Sequence, residues 1–322
     1  MNISLNDWTP ARLAFEAGAW KVNWCLPGRE AHFGAPFWLD DVARWTLHPC
    51  NLLFGVTTGP GALQSLANES PGLKPSGLIF HLSRCGSTLL SQMLAASEKN
   101  LVVSEAVPLD VALRARSFDA ALSEREADVL FGGMASVLGR PRRESEERFF
   151  LKLDAWHMLE WRRIAALFPD VPWVFVWRDP VEILVSHARR PGMQMRPDVL
   201  PPSLFGLEQS ESEDVTDYRA QVLGRIAQCA AEALNEWPGG RPVDYASLPS
   251  SGFEVIESHF GVVLDEQERD YMETATRVHA KAPSQTFVPD SERKQAEATP
   301  EQRDACARWA MPHIAQIQAF LT

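Results

Sequence analysis

At 322 residues, the chain has room for one large or two ordinary domains. Its 45% hydrophobic and 23% charged residues give the balance of a soluble globular protein that can bury a sizeable core. A formal charge of −11 excludes a general binder of nucleic acid or of anionic membranes, while leaving room for a local basic pocket.

The five cysteines (Cys25, Cys50, Cys85, Cys229 and Cys306) are scattered and form no C-x-x-C pair, so neither a disulfide framework nor a zinc cage is expected. The N-terminus lacks a basic start followed by a long apolar stretch. No apolar run reaches the roughly 20 residues that a membrane helix needs. These features predict a cytoplasmic protein with neither a membrane nor a nucleic-acid partner.

Residues 1–75 are rich in Trp, Pro and Gly, with short amphipathic pieces around Ala11–Ala19 and Trp38–Trp45. They read as an N-terminal extension packed on a core. Gly55–Gly77, full of Gly, Pro, Ser and Asn, reads as a loop or linker. From Gly77 the pattern changes. GLIFHL, LVVS (101–104), FFLKL (149–153), WVFVW (173–177) and RPVDY (241–245) are short apolar runs suited to strands of a buried parallel sheet. Helical patterns lie between them at Thr88–Ala96, Ser123–Leu138, Trp156–Phe168 and Val181–Ala188. This alternation predicts a three-layer α/β/α domain over 76–322, with a central, mainly parallel sheet and right-handed crossovers. The proline-, methionine- and acid-rich stretch 189–214 interrupts the alternation and reads as a mobile lid. The chain after Asp214 is mostly helical.

Two strand-to-helix turns carry chemistry. The first is Ser83-Arg84-Cys85-Gly86-Ser87-Thr88. Backbone N–H groups at such a turn, a glycine that permits close approach, two hydroxyls and an arginine make an anion site. It departs from the nucleotide P-loop G-x-x-x-x-G-K-[ST], because the cation precedes the glycine and no lysine follows. A magnesium-nucleotide kinase is therefore disfavoured. The second turn is Trp177-Arg178-Asp179-Pro180, with Ser186 eight residues after Arg178, about two turns into the helix. Arg178 stands at the carboxyl end of a predicted central strand, where open α/β sheets bind ligands.

Two anion sites at two strand ends suggest a ligand with two separated phosphate-like groups. With these motifs the chain resembles the family of sulfotransferases that use 3′-phosphoadenosine 5′-phosphosulfate (PAPS), in the bacterial form similar to the carbohydrate and tyrosylprotein branches. The resemblance covers about residues 77–264. It assigns Arg84, Cys85, Gly86, Ser87 and Thr88 to the 5′-phosphosulfate loop, and Arg178 with Ser186 to the 3′-phosphate motif. VDYASLPSSGFEVIESHFGVVL (243–264) is similar to a late element of the family, with Ala246 where an acid is usual, so that element reads as structural here. Arg293 and Lys294 match a late 3′-phosphate element only loosely, because Gln295 follows where the family has glycine.

The resemblance implies PAPS as co-substrate, no metal, and sulfuryl transfer to a hydroxyl or amine. Arg84 and Lys152 are the expected cations, and a lysine inside an apolar strand needs a partner. Two groups stand as the base: Glu105, just after LVVS, and His157, soon after the third strand. Trp156 is expected beside the site. The acidic charge favours a small-molecule or peptide acceptor over a highly sulfated polysaccharide. Two other readings stay open: a P-loop kinase-like phosphotransferase, and a non-catalytic nucleotide-binding protein of the same fold.

Overall fold

The computed structural model describes residues 4–28, 31–208, 214–279, 282–286 and 290–321. Its strands include β1 (Thr9–Glu16), β2 (Ala19–Cys25), β3 (Val56–Thr58), β4 (Pro75–His81), β5 (Asn100–Ser104), β6 (Arg148–Lys152), β7 (Trp173–Trp177) and β8 (Gly240–Asp244). β1–β3 form an antiparallel sheet, and β4–β8 a parallel sheet in the order β5-β6-β4-β7-β8. The expected α/β class is found, and each of the five apolar runs falls on a strand of the parallel sheet. Every residue of β5 and of β7 is buried, as strands covered on both faces require. From β4 the chain runs to one side for β5 and β6 and to the other for β7 and β8, a strand-order switch of the kind at which open α/β sheets hold ligands.

The chain forms two compact units. The first comprises Met1–Leu78, Ser91–Leu153 and Leu264–Ala275. Here β1 and β2 join through Ala17 and Gly18, both at positive φ (51° and 76°), as a tight two-residue hairpin demands. The stretch expected to be a linker instead folds as β3 and the helix Pro60–Glu69. Proline at its first turn costs no hydrogen bond, and Leu63, Leu66 and Ala67 bury one face. The helix Glu124–Leu138 begins at a capping box of Ser123 and Glu126, and buries Leu130, Phe131, Met134 and Leu138 at helical spacing. The helix Glu266–Thr276 is fastened by buried Glu268, which accepts from Ser97 Oγ at 2.5 Å, from Lys99 Nζ at 3.1 Å and from Arg148.

The second unit comprises Ile79–Leu90, Asp154–Val263 and Thr276–Thr322. Phe80 meets the rings of Trp173 and Trp237 edge-on, and those two stack with centroids 4.9 Å apart. The helix Val215–Glu236 packs on Pro300–Trp309 so closely that a Cβ on Gly224 would lie 2.2 Å from the Trp309 carbonyl oxygen. In the segment expected as a lid, residues 193–195 and 202–205 form single 3₁₀ turns, with Met195, Leu200 and Phe205 buried. Residues 209–213 of that segment lie outside the described residues. No helix among the described residues is long and apolar enough to cross a membrane.

Candidate functional site

In the second unit the turn after β4 is held in an unusual backbone conformation. Ser83, Arg84 and Gly86 have φ of 74°, 50° and 83°. Left-handed conformations of residues other than glycine cost about 1–3 kcal/mol and persist only where the surroundings over-determine them. Here they do. Ser83 N–H donates to His81 Nδ1 at 3.0 Å. Buried His187, on the helix Pro180–Arg189, has Nε2 3.1 Å from Ser83 Oγ, while its Nδ1 accepts from Gly192 N–H at 3.1 Å. Because Nδ1 accepts, the ring proton belongs on Nε2, which donates to Ser83. The Val176 carbonyl accepts from both Leu82 N–H (3.0 Å) and Cys85 Sγ–H (2.9 Å), so the thiol pins the turn to β7. Arg84 Nη2 donates to the Arg190 carbonyl at 2.9 Å. Ser87 and Thr88, both buried, open the helix Ser87–Ala95.

Gly86 is obligatory twice over. Its φ suits glycine, and a Cβ there would stand 2.8 Å from Tyr245 Cδ2 and 3.0 Å from Leu248 Cδ1. The Tyr245 ring also lies under Arg178, with Cζ 4.0 Å from the ring centroid. One aromatic ring therefore packs against both predicted anchors.

Arg178 follows β7 and is buried. Its Nε donates to Glu182, and its Nη2 to Asp290 Oδ1 at 2.6 Å and Ser291 Oγ at 3.1 Å. Burial alone would lower its pKa, but the bonds to Asp290 and Glu182 outweigh it and hold the guanidinium above its ordinary value. Ser186 is one helical turn beyond Glu182, on the same helix face. Of the late basic pair, Lys294 is buried with Nζ 2.9 Å from Asp290 Oδ2, whereas Arg293 is exposed and 3.9 Å from the same oxygen. Gln295 donates to Asp179 (2.8 Å) and Glu182 (3.2 Å), fixing the helix Ser291–Glu297 to the start of Pro180–Arg189.

In the first unit Lys152, at the end of β6, is fully buried and donates to Glu105 Oε1. The ammonium lies 5.5 Å from the centroid of the Phe37 ring. Glu105 N–H donates to the Lys152 carbonyl at 2.8 Å, prolonging the β5–β6 ladder by one rung. Glu105 then breaks out at φ 53°, its side chain 21% exposed. A carboxylate anchored on one cation and still reachable can accept a proton.

His157 is buried and caps its own turn: its Nδ1 accepts from Asp154 N–H at 3.3 Å, and its Nε2 lies 3.6 Å from Asp154 Oδ2. Trp156 is buried, edge-on to that imidazole. Sequence reasoning did not single out Asp290, Ser291 or the roles of His187 and Tyr245. Tyr245 was visible as a residue but not as the neighbour of both turns.

No family model and no curated protein matches the sequence. Among solved structures, the chain is similar to a sulfotransferase domain from the curacin biosynthetic pathway (16% identity, 74% of this chain and 98% of that one, TM-score 0.43). It is also similar to a sulfotransferase from Alicyclobacillus acidocaldarius (16%, 77% and 95%, 0.44). A third is the sulfotransferase domain from the Synechococcus PCC 7002 olefin synthase (13%, 78% and 96%, 0.42). All three are described as sulfotransferases or sulfotransferase domains.

Proposed function

We propose that this chain is a PAPS-dependent sulfotransferase that moves a sulfuryl group to a hydroxyl or amine of a small-molecule or peptide acceptor. The observation that carries the reading is the pair of cationic turns in the second unit, Ser83–Thr88 and the turn of Arg178, both after strand ends and both packed against Tyr245, with Lys294 joining Arg178 on Asp290. The donor set fits the group. A carboxylate already rests where Arg178, Lys294 and Ser291 converge, so that place accepts an anion.

When bound, PAPS supplies an activated sulfuryl group on a phosphate leaving group. In this reading, Arg84 and the backbone N–H groups of Cys85–Thr88 hold the 5′ end, while Arg178, Ser186 and Lys294 hold the 3′ end. Arg293, exposed beside Lys294, adds a longer-range charge. Glu105 takes the acceptor proton, and Lys152 keeps its carboxylate oriented and neutralises the developing charge. His157 is committed to its own turn, which favours Glu105 as the base. Five cysteines with no disulfide among the described residues suit a reducing compartment, and we assign the reaction to the cytoplasm.

Calorimetry with adenosine 3′,5′-bisphosphate and AMP tests the nucleotide assignment. The bisphosphate should bind at least about tenfold more tightly, as one charge-assisted phosphate contact is worth roughly 1.5–3 kcal/mol. Equal affinities would remove the 3′-phosphate role of Arg178 and Ser186.

A further inference from the structure

The cationic focus after β7 is occupied by the protein's own carboxylate. Asp290 accepts from Arg178 Nη2 through one oxygen (2.6 Å) and from Lys294 through the other (2.9 Å), with Arg293 3.9 Å away. Two oxygens shared between two cations copy what a phosphate would do there. Apart from exposed Arg293, which also lies 3.9 Å from Glu297, the charges already balance: Arg178 and Lys294 face Glu182 and Asp290. A phosphate dianion added to this set would leave two uncompensated negative charges in a mostly buried place, so one carboxylate must go.

The geometry selects which one. Glu182 is 9% exposed, holds the Arg178 Nε and is itself held by Gln295. Asp290 is 26% exposed, and its side chain caps no helix N–H. The Tyr245 ring under the guanidinium would keep Arg178 in place after Asp290 leaves.

We propose, resting on the sulfotransferase reading, that Asp290 is a built-in competitor for the 3′-phosphate and holds down the affinity that this group contributes. The side chain occupies the subsite in the free protein, and a nucleotide gains Arg178 and Lys294 only by displacing it. A ligand lacking a phosphate at that end cannot displace it and gains nothing there.

If Asp290 leaves the subsite free roughly a tenth of the time, apparent affinity is reduced about tenfold, because it scales with the competent fraction. Calorimetry on the full chain, with adenosine 3′,5′-bisphosphate and with AMP, compares wild type with Asp290→Asn. Asp290→Ser serves as a second charge-free variant, and melting curves confirm that each is folded. Both variants should bind the bisphosphate about tenfold more tightly than wild type, with AMP changed less than twofold. The inference is overturned if neither tightens the bisphosphate while Arg178→Ala still loses it. In that case Asp290 is only an ion-pair partner, and the 3′-phosphate assignment survives. Tightening AMP as much as the bisphosphate also overturns it, as a mere change of overall charge. If all folded forms bind the two nucleotides equally, the 3′-phosphate assignment fails and this inference falls with it.

Discussion

Apart from Ala17 in the β1–β2 hairpin, the described non-glycine residues at positive φ are Ser83, Arg84 and Glu105, and each of these belongs to a segment to which the sequence assigned chemistry. Residue type made Arg84 and Glu105 legible: one cation in a small-residue turn, one acid after an apolar strand. Their strain was not legible, since no pattern marks a left-handed arginine or glutamate. Glu105→Gln keeps the shape and the bond to Lys152 but removes the proton acceptor. Turnover should fall about 10²–10⁴-fold, with nucleotide affinity within about twofold. Unchanged turnover would move the base to His157 or elsewhere. Gly86→Ala tests the shared contact with Tyr245. The added methyl collides with the ring at 2.8 Å and meets a φ of 83°. Either effect alone costs about 1–3 kcal/mol, so the bisphosphate should bind roughly tenfold more weakly or worse by calorimetry. Wild-type affinity in the folded variant would refute that placement of the turn.

At the scale of elements, the parallel strands were readable because strands buried on both faces carry unbroken apolar runs, as WVFVW does. The helix Pro60–Glu69 was not, because its three buried positions are diluted by proline, glycine and asparagine, which are usually loop signals. The helix Glu266–Thr276 is held less by apolar area than by Glu268, a single acid clamped by Ser97, Lys99 and Arg148. Burial alone would raise its pKa, but these bonds overcome that and hold it below 4.5. A group depressed in the folded state stabilises at pH above its unfolded value, and the contribution fades as pH falls through the folded value. Glu268→Ala strands Arg148, so urea unfolding near pH 7 should lose about 3 kcal/mol. The gap between variant and wild type should narrow as pH drops below 4.5. A gap that is constant with pH would mean that packing, not charge, fastens this helix.

At the scale of the whole molecule, composition set an expectation against a general polyanion binder, yet a chain of net charge −11 still concentrates Arg178 and Lys294 on one carboxylate. Bulk charge governs long-range encounter, whereas a few desolvated groups govern the site. Cysteine count set the expectation of a reducing compartment but was silent on stability, where burial decides. Cys25 in the first unit and Cys306 in the second are buried, and burial pushes each thiol from 9.0 up to about 12. In the unfolded chain they ionise near 9.0, and in the folded protein they do not. Above that pH the unfolded state therefore holds fewer protons than the folded one, and stability falls as pH rises. The contribution is complete below pH 9.0 and is lost on the way to about 12. Each thiol adds up to about 1.4 kcal/mol of destabilisation per pH unit in that window. Thermal midpoints measured in reducing buffer between neutral pH and pH 11 should bend downward above about pH 9. Cys306→Ala lowers stability at neutral pH by opening a small cavity, but its decline above the bend should be shallower than that of wild type. Parallel curves for the two proteins would assign the alkaline edge to other groups, because a group that has been deleted cannot contribute a slope.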